Sequence, residues 1–285
     1  MAEPSKAVLI TGCSTGIGRA TAERLAASGH TVYATARRLE SITDLEAKGC
    51  KLLALDVTDE ESMQAAVKAV EEAEGAVGAL VNNAGYSQSG AIEDVPMDDV
   101  RRQFETNVFG LMRMCQLVLP GMRRQRHGRI VNISSMGGKL VFPGGGIYHA
   151  TKHAVEAISD ALRFEVRNFG IDVAIVEPGL ITTQFGETAV DSIGESQTGD
   201  GAYASFNTSV AKLTASAYEG PMARLGAGPD AVAKAIEHAI DRGRPKPRYV
   251  VTASARVMLG IRRLMPDRGW DAMMRSQYPQ PGKGD

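Results

Sequence analysis

Short, almost wholly apolar runs alternate along the chain with longer stretches whose apolar positions recur every three or four residues. The short runs predict strands at 7–10, 31–35, 51–55, 79–81, 129–133, 172–177 and 248–252, the second of them (TVYAT) rich in β-branched residues. The longer stretches predict helices over 19–28, 41–48, 59–72, 98–119, 148–168 and 229–241. Strands apolar on both faces, alternating with helices, belong in a parallel sheet covered on either side. Right-handed crossovers then make a doubly wound α/β sheet of about seven strands. No internal repeat or low-complexity linker divides the 285 residues, so one domain over 1–285 is expected.

Composition adds mainly exclusions. Hydrophobic residues make up 44% and charged residues 23%, as in an ordinary globular chain. With 32 basic and 33 acidic residues the net charge is −1, which gives no bulk attraction to nucleic acid or to a membrane. Cys13, Cys50 and Cys115 are too far apart to suggest a disulfide framework or a zinc site, and the five histidines show no metal spacing. No metal is expected. The first six residues are polar with no apolar core of a signal peptide, and no run of about eighteen apolar residues is present. Cytoplasm is the expected location.

The stretch SSMGGKLVFPGGGIYHATK brings in chemistry. Twelve residues separate Ser135 from Tyr148, and three separate Tyr148 from Lys152. If Tyr148 opens a helix, Lys152 lies one turn further along the same face. A free tyrosine titrates near pH 10 and is a poor base at neutrality, but a neighbouring ammonium favours its phenolate. Ser135, delivered from the end of a strand, is suited to hydrogen-bond the same substrate oxygen. Upstream, Gly12, Gly16 and Gly18 stand between the first strand and the first helix in the spacing G-x-x-x-G-x-G. Glycines there allow a tight turn and close backbone approach, and the helix N-terminus offers free N–H groups to a pyrophosphate.

The TGCSTGIG loop, the NNAG stretch and the Ser-Tyr-Lys set together resemble the short-chain dehydrogenase/reductase family, closely over 6–183 and more loosely over 229–252. The resemblance implies a Rossmann-like fold and an oxidoreductase moving a hydride between a nicotinamide cofactor and an alcohol or carbonyl substrate. By the family's pattern Tyr148 is the proton donor or acceptor, Ser135 orients the substrate oxygen, and Lys152 supports the phenolate and holds the nicotinamide ribose. Asn107 matches the helical asparagine that keeps a water-linked proton relay to the lysine in place. The cofactor loop is Gly12, Ser14, Gly16, Ile17 and Gly18. Asp56 and Val57 match the residues that hold the adenine, Asn83, Ala84 and Gly85 the loop beside the adenosine ribose, and Pro178, Gly179, Ile181 and Thr183 the segment flanking the nicotinamide.

The end of the second strand bears on which cofactor is used. Enzymes that prefer NAD(H) place an acid there, and the matching position is Ala36, followed by Arg37 and Arg38. A guanidinium suits a 2′-phosphate, with the Ser14 hydroxyl as a second donor, so NADP(H) is expected over NAD(H). The alternative is that the two arginines only begin a solvated loop. Cys13 is read as a small residue packed near the phosphates.

In the family the insert after the sixth strand, here 186–226, covers the substrate and suits a mobile lid. The tail, 253–285, alternates apolar residues with arginines, as an amphipathic helix against the domain or another subunit would; contact with a membrane surface is the lesser alternative. Its character, with the ATAR stretch, resembles the steroid- and retinol-oxidising branch. The apolar helices at 98–119 and 148–168 resemble those that pair relatives into homodimers or homotetramers. A rival of another class is a catalytically silent NADP-binding sensor or scaffold, a type that usually lacks the tyrosine or the lysine; this chain has both.

Overall fold

A computed structural model describes residues 3–194, 201–217 and 221–282. The strands are β1 (Val8–Ile10), β2 (Val32–Ala36), β3 (Lys51–Ala54), β4 (Ala79–Asn82), β5 (Gly128–Ile133), β6 (Ile171–Glu177) and β7 (Arg248–Val250). The α-helices are α1 (Gly16–Ala27), α2 (Glu60–Glu74), α3 (Met97–Phe104), α4 (Leu111–Gln125), α5 (Gly146–Val166), α6 (Phe185–Asp191), α7 (Ala204–Ala217), α8 (Pro229–Asp241), α9 (Ala253–Leu264) and α10 (Asp267–Gln277). The strands form one parallel sheet in the order β3-β2-β1-β4-β5-β6-β7. The order reverses between β1 and β4, where the strands' carboxyl ends diverge and leave a crevice.

Successive side chains of a strand point to opposite faces, and both faces here meet helices. Leu9, Leu80, Ile130 and Val173 pack with Met63 and Val67 of α2, Met114 and Val118 of α4, and Val155 of α5. Their neighbours Val8, Ile10, Val81, Val131 and Val176 turn the other way, onto Ala22 and Leu25 of α1 and Val232 and Ile236 of α8. This two-sided burial explains the unbroken apolar runs. The edge strands β3 and β7 are partly exposed along their length, and β6 only at Asp172.

Several elements depart from the sequence pattern. The short helix expected over 41–48 is two 3₁₀ turns, Leu39–Ser41 and Thr43–Lys48, the second ended by Gly49 at φ 89°. The long helix expected over 98–119 runs on to Gln125 and is interrupted by a π-turn, Glu105–Gly110, between α3 and α4. The π-turn lies where the Asn107 side chain bonds the Tyr86 backbone and Gly110 packs against the Val57 carbonyl. Such tertiary contacts outweigh the modest α-helix preference of Thr-Asn-Val.

The segment expected as a lid contains α6, α7 and a 3₁₀ turn, Pro221–Leu225; its residues 195–200 and 218–220 lie outside the described residues. Phe206 and Val210 of α7 pack with Ala91 and Ile193. The tail is two helices, of which α10 sets Trp270 and Met274 against Leu140, while residues 283–285 lie outside the described residues. No described helix is long and apolar enough to cross a membrane.

Candidate active site

A cleft of about 770 Å³ opens along the carboxyl ends of β1, β2, β4, β5 and β6. At one end, the chain leaves β1 through Gly12 and Gly16, whose φ values of 75° and 58° favour glycine. A Cβ on Gly12 would also meet the Ala84 Cα at 3.0 Å. Thr11 holds the neighbouring loop by accepting from the Asn83 and Ala84 amides, both at 3.0 Å. In return the Asn83 side chain donates to the carbonyls of Thr11 and Gly12 at 2.9 Å. The glycine turn is therefore fixed before any ligand arrives. Beyond it, α1 begins with no side-chain cap and no acid in its first turn, which leaves its amides for an anion.

Gly12, Ser14, Gly16 and Ile17 line this end, but Gly18 does not. It lies beneath the turn, against the Gly12 carbonyl and the Asn83 amide, where any side chain would clash. Arg37 and Arg38 follow Ala36 at the rim and are exposed, with Ser41 beside them. Asp56 and Val57 line the wall, as do Asn83, Ala84 and Gly85. Cys13 faces away, fully buried in the core; burial pushes its thiol up to about 12, which leaves it inert.

At the other end, β5 passes its backbone directly to the site. The Ser134 amide donates to Val176 and the Met136 amide to Pro178, both at 2.8 Å, so the chain stays beside β6 as it turns. Ser135 caps the short turn Met136–Gly138, its hydroxyl accepting from the Gly137 amide at 3.0 Å. Tyr148 is the third residue of α5, and Lys152 follows one turn later. The Lys152 ammonium lies 5.8 Å from the centre of the Tyr148 ring and donates to the Ile133 carbonyl at 2.8 Å. Burial disfavours its charge and lowers the ammonium to about 8, against the attraction of Glu156. Ser135, Tyr148 and Lys152 thus share one wall.

Asn107 does not reach the cleft wall. It is 1% exposed, accepts from the Tyr86 amide at 3.1 Å, and donates to the Tyr86 carbonyl at 2.9 Å and the Thr151 hydroxyl at 3.1 Å. It therefore ties the loop after β4 to the residue next to Lys152. Pro178, Gly179, Ile181 and Thr183 line the cleft opposite the glycine turn, and the Thr183 methyl would sit 3.3 Å from a Cβ on Gly16.

The sequence reading missed the apolar end of the cleft. Tyr86, Met136, Phe142, His149, Leu180 and Phe185 line it as well. Phe185 lies 5.4 Å from the Tyr148 ring, and His149 lies 5.6 Å from Tyr148 and 5.9 Å from Phe142. Burial lowers the His149 imidazole to about 4, so it is neutral at physiological pH. The available signal was the pair of aromatics, Phe142 and Phe185, in the segments that follow the fifth and sixth strands.

Known proteins are similar to this chain in sequence and fold. A family model for short chain dehydrogenase matches residues 6–193. Over 179 residues the chain is 43% identical to a 3-ketodihydrosphingosine reductase of Bacteroides thetaiotaomicron, a match spanning 62% of this chain and 65% of that protein. It is 34% identical to the uncharacterized oxidoreductase YbbO of Escherichia coli, over 95% of this chain and 94% of that one. It is also 34% identical to an NADPH-dependent 3-dehydrocapnine reductase of Ornithobacterium rhinotracheale, over 92% and 94%. Among solved structures, a short-chain dehydrogenase from Streptomyces avermitilis superposes with a TM-score of 0.75 at 34% identity, covering 95% of this chain and 98% of the other. ElxO with NADP bound superposes at 0.72 and 29% identity, covering 89% and 99%. Motif, topology and full-length relatives agree, and the chain belongs to the short-chain dehydrogenase family of oxidoreductases.

Proposed function

We propose that the protein is an NADP(H)-dependent oxidoreductase that interconverts an alcohol and a carbonyl, with Tyr148 as the acid and base. The observation that carries this reading is the shared wall of Ser135, Tyr148 and a buried Lys152 at one end of a cleft whose other end is a preformed glycine turn. The residues present fit the cofactor. The uncapped start of α1 with Gly12, Gly16 and Ile17 takes the pyrophosphate, Asp56 and Val57 the adenine, and Asn83, Ala84 and Gly85 the adenosine ribose. Arg37, with Ser14, takes a 2′-phosphate, and no acid at position 36 repels it. The NADP bound to ElxO and the NADPH dependence of the 3-dehydrocapnine reductase support the same choice. Pro178, Gly179, Ile181 and Thr183 flank the nicotinamide, and Lys152 holds its ribose. When bound, the cofactor supplies or accepts the hydride.

The chain's own residues handle the proton. The Ser135 hydroxyl orients the substrate oxygen, and Tyr148 gives that oxygen a proton in reduction or takes one in oxidation. A cationic Lys152 stabilises the phenolate left after donation. Asn107 keeps the Tyr86 loop and Thr151 in register, so the lysine has a fixed path for proton return. The aromatic end suits a substrate with an apolar body beside its carbonyl, and α6 and α7 cover it. Steroid- and retinoid-like compounds meet that description, and two relatives are reductases of keto or dehydro compounds by name. Exposed Phe109 and Met112 near the start of α4 and Phe164 on α5 support pairing of copies into a homodimer or homotetramer, and a cytoplasmic location goes with this reading.

The test is oxidation of NADPH by the wild-type protein with a panel of long-chain 3-keto compounds, steroid ketones, retinal and small aldehydes, alongside NADP+ reduction with the matching alcohols. Turnover with an apolar member is expected. Tight NADPH binding with no turnover across the panel would instead favour a silent sensor.

A further inference from the structure

Behind the catalytic wall lies a charged cluster around two buried glutamates that the reaction as described does not use. Glu156 stands one turn beyond Lys152 on α5, and Glu177 ends β6 immediately before Pro178; their side chains are 5% and 2% exposed. Arg248 on β7 bonds Glu156 Oε2 at 3.0 Å and approaches Glu177 Oε1 at 3.2 Å. Lys139, from the loop that follows Ser135, reaches the same Glu156 Oε2 at 2.9 Å. Asp160, further along α5, takes Arg248 at 2.6 Å and Arg163 at 2.7 Å, and Arg256 of α9 turns to the Val250 carbonyl. The cluster thus joins the Ser135 loop, the Tyr148–Lys152 helix and the segment before Gly179.

Its hydrogen bonds do not balance if both glutamates are ionised. Glu156 Oε1 and Glu177 Oε1 are each buried without a hydrogen-bond donor. The two carboxylates converge on Arg248 Nε, which lies 3.0 Å from Glu156 Oε2 and 3.2 Å from Glu177 Oε1. Two ionised carboxylates brought together out of water, each with an oxygen that no donor satisfies, are costly, and a proton held by the pair relieves that cost.

We propose that Glu156 and Glu177 share a single proton in the neutral protein and that the pair, acting through Lys152, sets the pH range over which that lysine stays charged. Both are positioning residues, and the role of Lys152 rests on the function proposed above. Burial and the neighbouring Glu156 push Glu177 up to about 7. As pH rises past that point the shared proton leaves and the pair's charge goes from −1 to −2. The added negative charge arises in a pair whose Glu156 member lies one helical turn from Lys152, just below the pH of about 8 at which burial strips the lysine of its own proton. The pair therefore holds Lys152 cationic further into the alkaline range.

Glu177→Gln keeps the shape and fixes the pair at one negative charge. NADPH affinity, followed by its fluorescence, is expected to match wild type at pH 6. Above pH 8 it is expected to be about three- to tenfold weaker, since one pKa unit changes a protonation ratio tenfold. The variant should also melt higher than wild type above pH 7, because a carboxyl whose folded pKa is raised loses its stabilising proton there. A role in packing alone would lower binding or melting temperature equally at every pH, and that result overturns the proposal. Independently of cofactor, a pH-difference infrared spectrum of the wild type should show a protonated carboxyl stretch disappearing near pH 7, and Glu177→Gln should lack it. Absence of that band in the wild type overturns the shared proton whatever the enzyme's reaction, whereas a fully active Tyr148→Phe would remove the catalytic reading and leave the band untouched.

Discussion

The two ends of the cleft are built by different means. At the nucleotide end the groups come from consecutive residues at strand ends, and hydrogen bonds between the Thr11 and Asn83 side chains and the backbone hold them. Thr11, Gly12, Asn83 and Ala84 make a closed set of such bonds. At the substrate end single side chains arrive from five separate stretches: Tyr86, Met136, Phe142, Tyr148 and Phe185. Helices α6 and α7 are tied to the segment 88–94 by a few polar bonds, Gln88 to Ser192, Ser89 to Ser192, and Asn207 to Ala91 and Asp94. A common nucleotide can be met by a fixed backbone. A variable substrate is met by side chains, each replaceable without disturbing the sheet.

The largest expected effect lies where the two ends meet. Tyr148→Phe should cut turnover by a factor of about 10² to 10⁴ while NADPH affinity stays near wild type. Stopped-flow rates beside fluorescence titration separate the two quantities. Unchanged turnover would mean another group is the acid, and the contrast between a binding end and a reacting end would fail.

Next in size is Lys152→Met, read in the protein without cofactor. The lysine's folded pKa is lowered, so below pH 8 the buried charge costs stability, and the wild type recovers that cost as pH rises from about 8 towards 10.5. The stability difference between variant and wild type should shift in favour of the wild type over that window by up to about 3 kcal/mol. Urea unfolding at pH 7, 9 and 10.5 measures it. A difference constant with pH would show that burial does not perturb the lysine's ionisation.

The nucleotide end is sharpened by Ala36→Asp with Arg37→Ala. A hydrogen bond to a charged group is worth roughly 1.5–3 kcal/mol, so the wild type should favour NADP(H) over NAD(H) by about one to two powers of ten. The double variant should reverse that, because the new carboxylate accepts from the ribose hydroxyls and repels the phosphate. The ratio of kcat/KM for the two cofactors is the measurement. A wild type that prefers NAD(H) would place Arg37 in solvent.

The smallest effect belongs to the segment that we propose covers the substrate. Asn207 is fully buried, and Asn207→Ala leaves the Ala91 amide without its acceptor, a cost of about 1–3 kcal/mol. KM for the substrate should rise several-fold, with NADPH affinity unchanged. Equal weakening of both would mean that the cover and the nucleotide end form one unit.

The same contrast explains what could be read from the sequence. The sheet, the glycine turn and the Ser135–Tyr148–Lys152 wall depend on local spacing, and each appears as a contiguous motif with one geometric meaning. Gly18 was legible as part of that turn, but its use beneath the turn was not, because close packing depends on Asn83, far along the chain. Asn107 was legible as an odd residue in a helix, whereas its π-turn follows from the position of the Tyr86 backbone. Phe142, His149 and Phe185 form no pattern in sequence, since only the fold brings them to Tyr148. Glu156 reads as one more polar position on an amphipathic helix until β6 sets Glu177 across from it.

The π-turn at Glu105–Gly110 has a consequence for how this chain tolerates changes in length. An α-helix advances about 100° per residue, and a π-turn takes up roughly one residue more per turn. Helices α3 and α4 are therefore out of phase, and a periodicity computed across both averages two stripes that do not line up. Removing one residue from Glu105–Gly110 shortens the chain by about 1.5 Å of helix, a small change in length. In angle it is large. It swings everything before it by about a quarter-turn relative to α4, carrying Asn107 away from Thr151. Insertions and deletions there act as rotations, and the helix meets them as a gear meets a lost tooth.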